Sequence, residues 1–493
     1  DIKKFKLKEF YSDNLFLLFL PFFIISLFPA SDPDSLDYHL GAAKFWIENE
    51  KNLPINHWLH FRLASYGETL NIFSVLIFDG KLLSFLKVFI LFVLTKIIFN
   101  YFKKKRNYNI FLFSLLSSPI LIYFISNQKP QFLGYLILIL FFLLLILKKK
   151  NYYSSILLAY VSSLKFSFVP LVAILFIFAL NSKNFNNKKF IISFIIFSIV
   201  FWLPLTLKNF VFYSNPLSPF FESILSNAPD QTVINFSDML RNYSEYGFSK
   251  FHEFVNILIP LNLGAITTYF GVSIMLFLIS KKFNKHSKSF FYLSLIIFLS
   301  YILIGQYSSR YLYFSYFLLV FSSLFMEIRF KNFFFKILKL QMIAIYFFLV
   351  SYSILNIFSL LNPNSYENYL TSKAYQYEET NWLKKNIVNE NYTSDIRSKY
   401  FLNKNHFPLE FIYYTPSESV EKNLFYFLKK NKIKKVSLLV DNNFLYKMFQ
   451  FCKKNSTSKN FKVLRRNFLV KEKTIKREIF EIDLNNSKCE IKL

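Results

Sequence analysis

The 493-residue chain is 54% hydrophobic and only 18% charged, whereas an ordinary globular domain carries about 25% charged residues. Its formal net charge of +29 would suit a nucleic-acid-binding protein, but the basic residues lie in short clusters between long apolar runs. That arrangement is typical of the loops of polytopic membrane proteins. The composition therefore excludes a soluble enzyme and a nucleic-acid partner.

Eleven apolar runs predict an α-helical polytopic membrane protein with about eleven transmembrane helices. The runs lie at about 14–30, 82–101, 109–126, 131–147, 153–164, 166–180, 190–207, 264–280, 289–305, 311–327 and 337–359. The two runs at 153–164 and 166–180 are short, and basic clusters flank the pair on both sides. Because a hairpin returns both clusters to the same face of the membrane, we expect a hairpin with its tip near Lys165.

Basic clusters also set the expected orientation. They occupy the N-terminus and residues 103–106, 148–150, 183–189, 281–288 and 329–339, and the positive-inside rule assigns them to the cytoplasm. Eleven spans then place the C-terminus outside a bacterial inner (plasma) membrane. We expect residues 1–360 to form the transmembrane domain, with extracytoplasmic loops at 31–81 and 208–263, and residues 361–493 to form a soluble extracytoplasmic domain.

The tail has the pattern of a folded α/β domain. A helical pattern over 420–430 is followed by a strand-like run at 435–440 and by alternating segments at 461–470 and 477–484. Two cysteines, Cys452 and Cys489, are able to pair in an oxidising compartment, but two cysteines make neither a disulfide framework nor a metal site.

The first extracytoplasmic loop opens with an acidic cluster. Within eight residues it holds Asp32, Asp34, Asp37 and His39. A helical pattern follows from Leu40, with Asp34 or Ser35 as its expected N-cap. An acidic group beside a membrane suits an enzyme that deprotonates a hydroxyl group, and Asp32 with Asp34 is also a candidate site for a divalent cation. The alternative is that these carboxylates only cap a juxtamembrane helix.

Glu68 belongs to a second feature of the same loop. It precedes an apolar stretch of about ten residues, 69–78, that ends at Asp79-Gly80. Such a stretch is too short to cross a membrane, so we expect a helix that lies in the membrane interface.

Three motifs carry a resemblance to a known family. The run DSLDYHLGAAKFWIENEKNLP at 34–54 resembles the first-loop signature of the GT-C superfamily of polyprenyl-phosphate-sugar-dependent glycosyltransferases. The segments LPLTLKNF at 203–210 and SNPLSPF at 214–220 are similar to its pattern LPW-x-x-RNY…GNP-x-YPF, with Lys208, Ser214 and Ser218 in place of Arg, Gly and Tyr. SRYL at 309–312 resembles the family's x-RY-L segment. Relatives include protein O-mannosyltransferases and the aminoarabinose transferase of lipid A.

The resemblance implies a GT-C-like fold and a mechanism. A sugar would pass from a polyprenyl phosphate in the membrane to a hydroxyl acceptor, which is a lipid, a glycan or a protein. Asp34 matches the general base, and Asp37 or Asp32 takes that role if the register slips. By their positions in the external loops and at predicted external helix ends, the substrate-binding candidates for such a reaction are Tyr38, His39, Glu68, Lys165, Lys208, Asn209 and Arg310. Arg310 and Lys165 would stabilise the leaving phosphate, because fixed cations favour developing negative charge.

Several of these residues have a plainer alternative. Arg310 and Lys165 are also placed to extend towards the interface, Tyr38 to anchor there, and Lys208 with Asn209 to position the second loop. The histidines show no metal-ligand spacing, and we predict no firm cofactor. Rival functions are a transporter or flippase, which would carry charges at mid-membrane, and a polysaccharide polymerase or ligase.

Overall fold

The computed structural model describes residues 14–50, 55–147, 151–181, 187–242, 269–304, 308–441, 443–449, 452–463 and 474–483. The N-terminal lysines, residues 148–150, the second-loop residues 243–263, the first five residues of the predicted span 264–280 and Cys489 lie outside these residues. The chain divides into two compact units. Unit 1 comprises Asp1–Phe28, Lys81–Trp202 and Asn242–Tyr366, and unit 2 comprises Pro29–Gly80, Leu203–Arg241 and Glu367–Leu493.

Unit 1 is helical apart from one short ladder. Its α-helices are Asn14–Ser26, Leu82–Phe102, Tyr108–Leu116, Pro119–Ile125, Gln131–Ile146, Asn151–Leu164, Val169–Leu180, Asn187–Tyr213, Leu276–Ile279, Lys285–Leu303, Tyr313–Ser322 and Lys331–Asn356, of which Asn187–Tyr213 continues into unit 2. Short 3₁₀ turns lie at Phe166–Phe168, Val272–Met275, Ser309–Leu312, Ser323–Phe325 and Ile357–Leu360. Strands β1 (Ser280–Phe283) and β2 (Met326–Ile328) pair antiparallel.

Among the described residues, four helices are long and apolar enough to cross a membrane: Leu82–Phe102, Asn187–Tyr213, Lys285–Leu303 and Lys331–Leu360. A fifth span results if Tyr108–Leu116 and Pro119–Ile125, bent by 53°, count as one. The bend lies at Pro119, because proline lacks the N–H that would continue the helix. The polytopic membrane class is thereby confirmed, whereas the count of eleven spans stays a prediction.

The predicted break near Lys165 is present. The helix Asn151–Leu164 ends there, Lys165 has an extended backbone with φ −163° and ψ 135°, and the next helical segment starts at Phe166. A break in the helical structure therefore lies at Lys165, whereas the hairpin itself stays a prediction.

Lys87 is the fully buried cation of the Leu82–Phe102 helix. Its ammonium group donates hydrogen bonds to the carbonyl oxygens of Phe124, at 2.8 Å, and Asn127, at 2.5 Å. A buried charge is tolerated only when such partners replace water. These contacts connect the helix to the turn at 124–129, so the role of Lys87 is structural.

Unit 2 contains a five-stranded sheet. Its strands are β3 (Tyr392–Ser394), β4 (His406–Pro408), β5 (Lys435–Leu439), β6 (Lys453–Lys462) and β7 (Thr474–Ile482). The order is β4-β3-β5-β7-β6, with β3 parallel to β4 and β5 and β7 antiparallel to β5 and β6. The predicted helix Val420–Lys430 is present and buries Leu424, Phe427 and Leu428 in the core with Val436 of β5.

The other helices of unit 2 come from all three of its segments. They are the π-helical turn Ser35–His39 and the α-helices Leu40–Asn49, Tyr66–Phe78, Glu222–Leu225, Gln231–Asn242, Pro363–Lys373, Tyr377–Asn386 and Asn443–Phe449, of which Pro363–Lys373 begins in unit 1. Short 3₁₀ turns lie at Leu59–Leu63, Lys399–Phe401, Glu410–Tyr413 and Ser417–Ser419. Unit 2 thus joins the first loop and the tail in one core.

A buried ion-pair group fixes the start of the loop after β3. Arg477 of β7, fully buried, donates to Glu379 at 2.7 Å and to Asp395 at 2.5 Å. Both carboxylates compensate the charge of the guanidinium, as a buried cation requires. Asp395 directly follows β3, so the group fixes the first residue of the loop that carries Arg397 and Lys399.

Candidate functional site

Asp32 caps the helix at the start of the first loop. Its carboxylate accepts a hydrogen bond from the backbone N–H of Ser35 at 3.0 Å, and its carbonyl accepts from Leu36 at 3.2 Å. Asp34 already has helical φ and ψ angles of −71° and −37°. The expected N-cap at Asp34 or Ser35 is therefore wrong by two or three residues, because the helix begins at Pro33, a residue suited to the first helical position.

A widened turn places the remaining acidic residue of the cluster. Ser35–His39 is π-helical before the regular helix resumes at Leu40, and π turns inside helices often occur at functional sites. Asp37 lies in this turn and is 1% exposed. The wider turn makes the Asp37 side chain point in a different direction from the one it would have in a regular α-helix. Its direction therefore cannot be predicted from the spacing of residues in the sequence.

The cations that face these carboxylates come from the tail. Arg397 and Lys399 follow β3, and Glu410 follows β4. The chain leaves β3 for β4 on one side, and β5 lies on the other side of β3. In parallel sheets, ligands bind beyond the carboxyl ends of the strands where the strand order reverses in this way. All three residues lie at that kind of position.

Asp34 and Asp37 share the guanidinium group of Arg397. The Arg397 Nη2 atom is 2.9 Å from Asp34 Oδ1, and its Nε atom is 3.7 Å from Asp37 Oδ2. Asp34 is 29% and Arg397 41% exposed at their side chains. The Asp34–Arg397 pair therefore lies at the rim, where a substrate has access, and Asp37 lies beneath it.

Asp37 is held on its other sides by buried donors. Lys399 forms an ion pair with it, and the indole N–H of Trp58 donates to it at 3.2 Å. The Lys399 ammonium group is also 3.6 Å from Glu410. A carboxylate so enclosed is suited to position its neighbours rather than to exchange protons with a substrate.

His60 completes the group through Glu410. The ring Nδ1 atom of His60 is 2.5 Å from Glu410 Oε1, and its backbone N–H donates to the same oxygen at 2.9 Å. The ring of Tyr38 stacks on that of His60 at 5.5 Å. We call Asp34, Asp37, His60, Arg397, Lys399 and Glu410 the acidic centre.

The charges of the acidic centre shift one another's pKa values. Burial opposes the charge of Glu410, but His60 and Lys399 lower the pKa of this carboxyl to about 2. Burial also opposes the protonation of His60, yet Glu410 raises the pKa of the imidazole above its ordinary value. Likewise, Asp37 and Asp34 outweigh burial and raise the pKa of Arg397. With His60 protonated, three cations balance three carboxylates.

A cation site is geometrically available in the acidic centre. One ligand atom each of Asp37, His60 and Glu410 lies within 4.8 Å of the others. The ammonium group of Lys399 already contacts two of these three residues, so a metal ion would have to displace it. At the sequence-predicted pair, Asp32 caps a helix and Asp34 binds Arg397. The divalent-cation prediction at Asp32/Asp34 stays a prediction.

His39 and Glu68 form a buried pair beside this centre. His39 Nδ1 is 2.8 Å from Glu68 Oε1, and the other carboxylate oxygen of Glu68 accepts from the backbone N–H of Ser65 at 2.7 Å. Ser65 and Glu68 form a capping box for the helix Tyr66–Phe78. The contacts connect the two helices of the first loop, so both residues position that loop.

Lys208 and Asn209 contact backbone carbonyl groups. Lys208 donates to Ala64 at 3.2 Å, and Asn209 donates to Ser218 at 3.4 Å. These contacts match the alternative that the two residues position a loop.

Lys165 and Arg310 belong to unit 1, whereas the acidic centre belongs to unit 2. The guanidinium group of Arg310 lies 5.1 Å from the ring centroid of Tyr311. Its carbonyl oxygen accepts a hydrogen bond from Tyr135 at 2.8 Å, and the carbonyl of Lys165 accepts one from Phe168 at 2.9 Å.

Sequence reasoning missed the contribution of the tail. It took the first loop as the site and treated His60 as a loop residue without a ligand role, whereas Arg397, Lys399 and Glu410 were not singled out. The available signal was the Arg-Ser-Lys spacing directly after a short strand, at the edge of a sheet where ligands commonly bind.

The apolar helices and the charged centre define the class of this protein: it is a membrane-embedded, mostly helical protein with a compact mixed α/β unit. The sequence profile of the DUF1420 N-terminal domain matches residues 2–370, and the chain belongs to that family. No curated protein and no solved structure matches the chain.

Proposed function

We propose that this protein is an integral membrane glycosyltransferase that moves a sugar from a polyprenyl-phosphate donor to a hydroxyl acceptor on the extracytoplasmic face. The observation that carries the proposal is the pair of Asp34 and Arg397 at the rim of the acidic centre. A transferase of this kind needs a base for the acceptor and a cation for the leaving phosphate. The pair offers both groups, and they are joined by a hydrogen bond.

In the proposed reaction, the acceptor oxygen attacks the anomeric carbon while the bond from that carbon to the phosphate oxygen breaks. Asp34 takes the hydroxyl proton, and the phosphate leaves with the bonding electrons. Arg397 keeps Asp34 ionised before the donor arrives. A phosphate that competes for the guanidinium group would then weaken this ion pair and leave Asp34 a stronger base.

Asp34 is preferred over the other two carboxylates because of what each one contacts. Asp32 caps the helix, and Asp37 is buried under Lys399 and Trp58. Asp34 combines exposure with a cationic neighbour. We assign Asp37 as a positioning residue that holds Arg397 and Lys399 in place.

The proposal includes the finer topology. Eleven spans, a cytoplasmic N-terminus and an extracytoplasmic tail in a bacterial inner membrane put unit 2 outside. The exposed apolar residues Phe73, Leu76 and Ile77 of the helix Tyr66–Phe78 support an interfacial position of that helix.

The test is transfer by purified protein in lipid nanodiscs, with radiolabelled polyprenyl-phosphate sugars and membrane extracts as the source of acceptors. Asp34→Asn should reduce the transfer rate by about 10²- to 10⁴-fold, the range of general-base contributions. Asp79→Asn is the matched control, because Asp79 lies in the same loop, is exposed, and has a left-handed backbone (φ 46°) that asparagine accepts.

Two outcomes would contradict the assignment. If the Asp34→Asn variant keeps more than about a tenth of the activity, Asp34 is not the general base. If the protein transfers no sugar from any donor but moves a lipid-linked sugar across vesicle membranes, the flippase alternative replaces the transferase. Arg397→Lys keeps the charge but not the forked geometry, and we expect it to lower the rate less than Asp34→Asn.

A further inference from the structure

A cavity of about 270 Å³ opens beside the acidic centre within unit 2. Four aromatic side chains line it, from Phe45, His57, Trp58 and Phe407. Burial lowers the pKa of His57 to about 4, so its ring is neutral at physiological pH. The cavity therefore offers flat, uncharged surfaces of the kind against which the C–H faces of a ring pack.

The lining of the cavity also contains polar groups that are suited to hydroxyl groups. Asn49 and Asn403 contribute amides, and Glu48 contributes a carboxylate. The side-chain oxygen of Asn403 has no hydrogen-bond partner among the described residues. Amides donate and accept hydrogen bonds, and carboxylates accept them, so this combination matches a ligand with several hydroxyl groups.

Three lysines line the cavity, of which two are already compensated and the third, Lys404, is exposed to solvent. Lys44 donates to the carbonyl oxygens of Tyr400 and Leu402, each at 2.8 Å, and Lys399 pairs with carboxylates of the acidic centre. A phosphate or nucleotide would need cations without such partners. With two of its three lysines engaged and the carboxylate of Glu48 in its lining, the cavity favours a neutral ligand over an anionic one.

Lys399 belongs to both the cavity and the acidic centre, and Trp58 of the cavity lining contacts that centre. The ammonium group of Lys399 lies 5.0 Å from the Trp58 ring centroid, and the indole N–H of Trp58 donates to Asp37. Gly41 permits this approach, because a Cβ atom there would lie 3.2 Å from Trp58 Cη2. A ring bound in the cavity would therefore lie against two residues that contact carboxylates of the acidic centre.

We propose that this cavity binds a single neutral sugar ring next to the acidic centre. The proposal deepens the glycosyltransferase function, on which it rests, by naming the part of the site that recognises a sugar. The volume of about 270 Å³ is just below the usual range of ligand pockets, so it suits one ring rather than an oligosaccharide. The ring belongs either to the acceptor or to the lipid-linked donor.

Binding of methyl glycosides to the full-length protein in nanodiscs tests the proposal without turnover. The panel is the methyl glycosides of glucose, galactose, mannose and N-acetylglucosamine, followed by saturation-transfer difference NMR. We expect at least one to bind. Asn403→Ala should weaken that binding roughly 3- to 10-fold, as for one lost hydrogen bond, and Asn403→Trp should abolish it by filling the cavity.

The matched control is Asn386→Ala, an exposed asparagine of the Tyr377–Asn386 helix in the same unit. It should leave binding unchanged. If the Asn403→Trp variant fails to fold, as judged by its unfolding temperature, glycoside binding by the Asn403→Ala variant decides whether the cavity is the binding site. The proposal is overturned if no glycoside binds or if a folded Asn403→Trp variant binds as well as the parent.

The same measurements separate this proposal from the proposed function. Glycoside binding that depends on Asn403, in a protein without transferase activity, would keep the cavity and reject the transferase. Transfer activity without glycoside binding that depends on Asn403 would keep the transferase and reject the cavity as a sugar site. A short-chain polyprenyl-phosphate sugar that displaces the glycoside identifies the ring as the donor's, and simultaneous binding identifies it as the acceptor's.

Discussion

Replacement of Lys399 by methionine tests how the acidic centre is held together. The substitution keeps most of the aliphatic chain but removes the cation that pairs with Asp37 and lies 3.6 Å from Glu410. Among the described residues, Asp37, at 1% exposed, would keep the indole N–H of Trp58 at 3.2 Å and the more distant Nε of Arg397 at 3.7 Å.

The expected loss of stability follows from the burial of these charges. Removing one partner of a buried ion pair costs about 3–5 kcal/mol. The two remaining donors to Asp37 place the expected value near the lower limit, about 3 kcal/mol. For a cooperative unit of roughly 200 residues, this corresponds to a fall of about 6–12 °C in unfolding temperature.

The assay is thermal unfolding of the full-length protein in nanodiscs, with the parent and variant compared at the same pH. Lys459→Met is the matched control, because Lys459 pairs with Glu378 at 3.3 Å with both side chains 45% exposed. Exposed pairs contribute about 0–1 kcal/mol, so the control should change the unfolding temperature little.

A second variant checks the mechanism. In Asp37→Asn/Lys399→Met no unpaired charge remains at this position, so the loss should be smaller than the sum of the two single losses by about 1–3 kcal/mol. Parent-like unfolding of Lys399→Met, or strictly additive losses in the double variant, would refute the view that Lys399 compensates buried charge.

Two further predictions concern pH and topology. The low pKa of Glu410, about 2 against an ordinary 4.5, stabilises the folded state above pH 4.5, and this contribution disappears as the pH falls through about 2. The raised pKa of His60 stabilises below its ordinary 6.5 and is lost as the pH rises through the raised value. In the Glu410→Gln variant, a plot of unfolding temperature against pH should therefore lose both the acidic slope due to Glu410 and the neutral slope due to His60. Unchanged slopes would contradict the pairing of these two residues. Separately, a reporter fused after residue 493 should behave as extracytoplasmic and one at Lys285 as cytoplasmic; a cytoplasmic C-terminal reporter would remove unit 2 from the outer face.

Local patterns in the sequence were sufficient for the elements that depend on neighbouring residues. The apolar runs predicted the helices of the membrane class, since a span is defined by composition over about twenty residues. The helix Val420–Lys430 was also predictable, because its apolar positions repeat with helical spacing. The same local reasoning recognised Asp32, Asp34 and Asp37 as a cluster.

Local patterns did not determine the exact geometry within that cluster. The sequence placed the N-cap at Asp34 or Ser35, whereas Asp32 caps the helix and a π-helical turn carries Asp37. The widened turn is supported by partners elsewhere in unit 2, such as Trp58 and Lys399. Its cause is therefore tertiary.

The division of roles among the acidic residues was decided only by the tertiary structure. Asp34 and Arg397 are 363 residues apart in the chain and 2.9 Å apart in space. The sequence holds no local signal for that pairing, because ion pairs between distant segments form only when the core of unit 2 brings those segments together. In the sequence, the acidic cluster of the first loop offers three carboxylates, of which the resemblance to a family prefers Asp34 and leaves Asp37 and Asp32 as alternatives. Folding buries one under Lys399, commits one to a helix cap and leaves one beside a guanidinium group at the rim, since burial and partners, not residue type, determine what a carboxylate does.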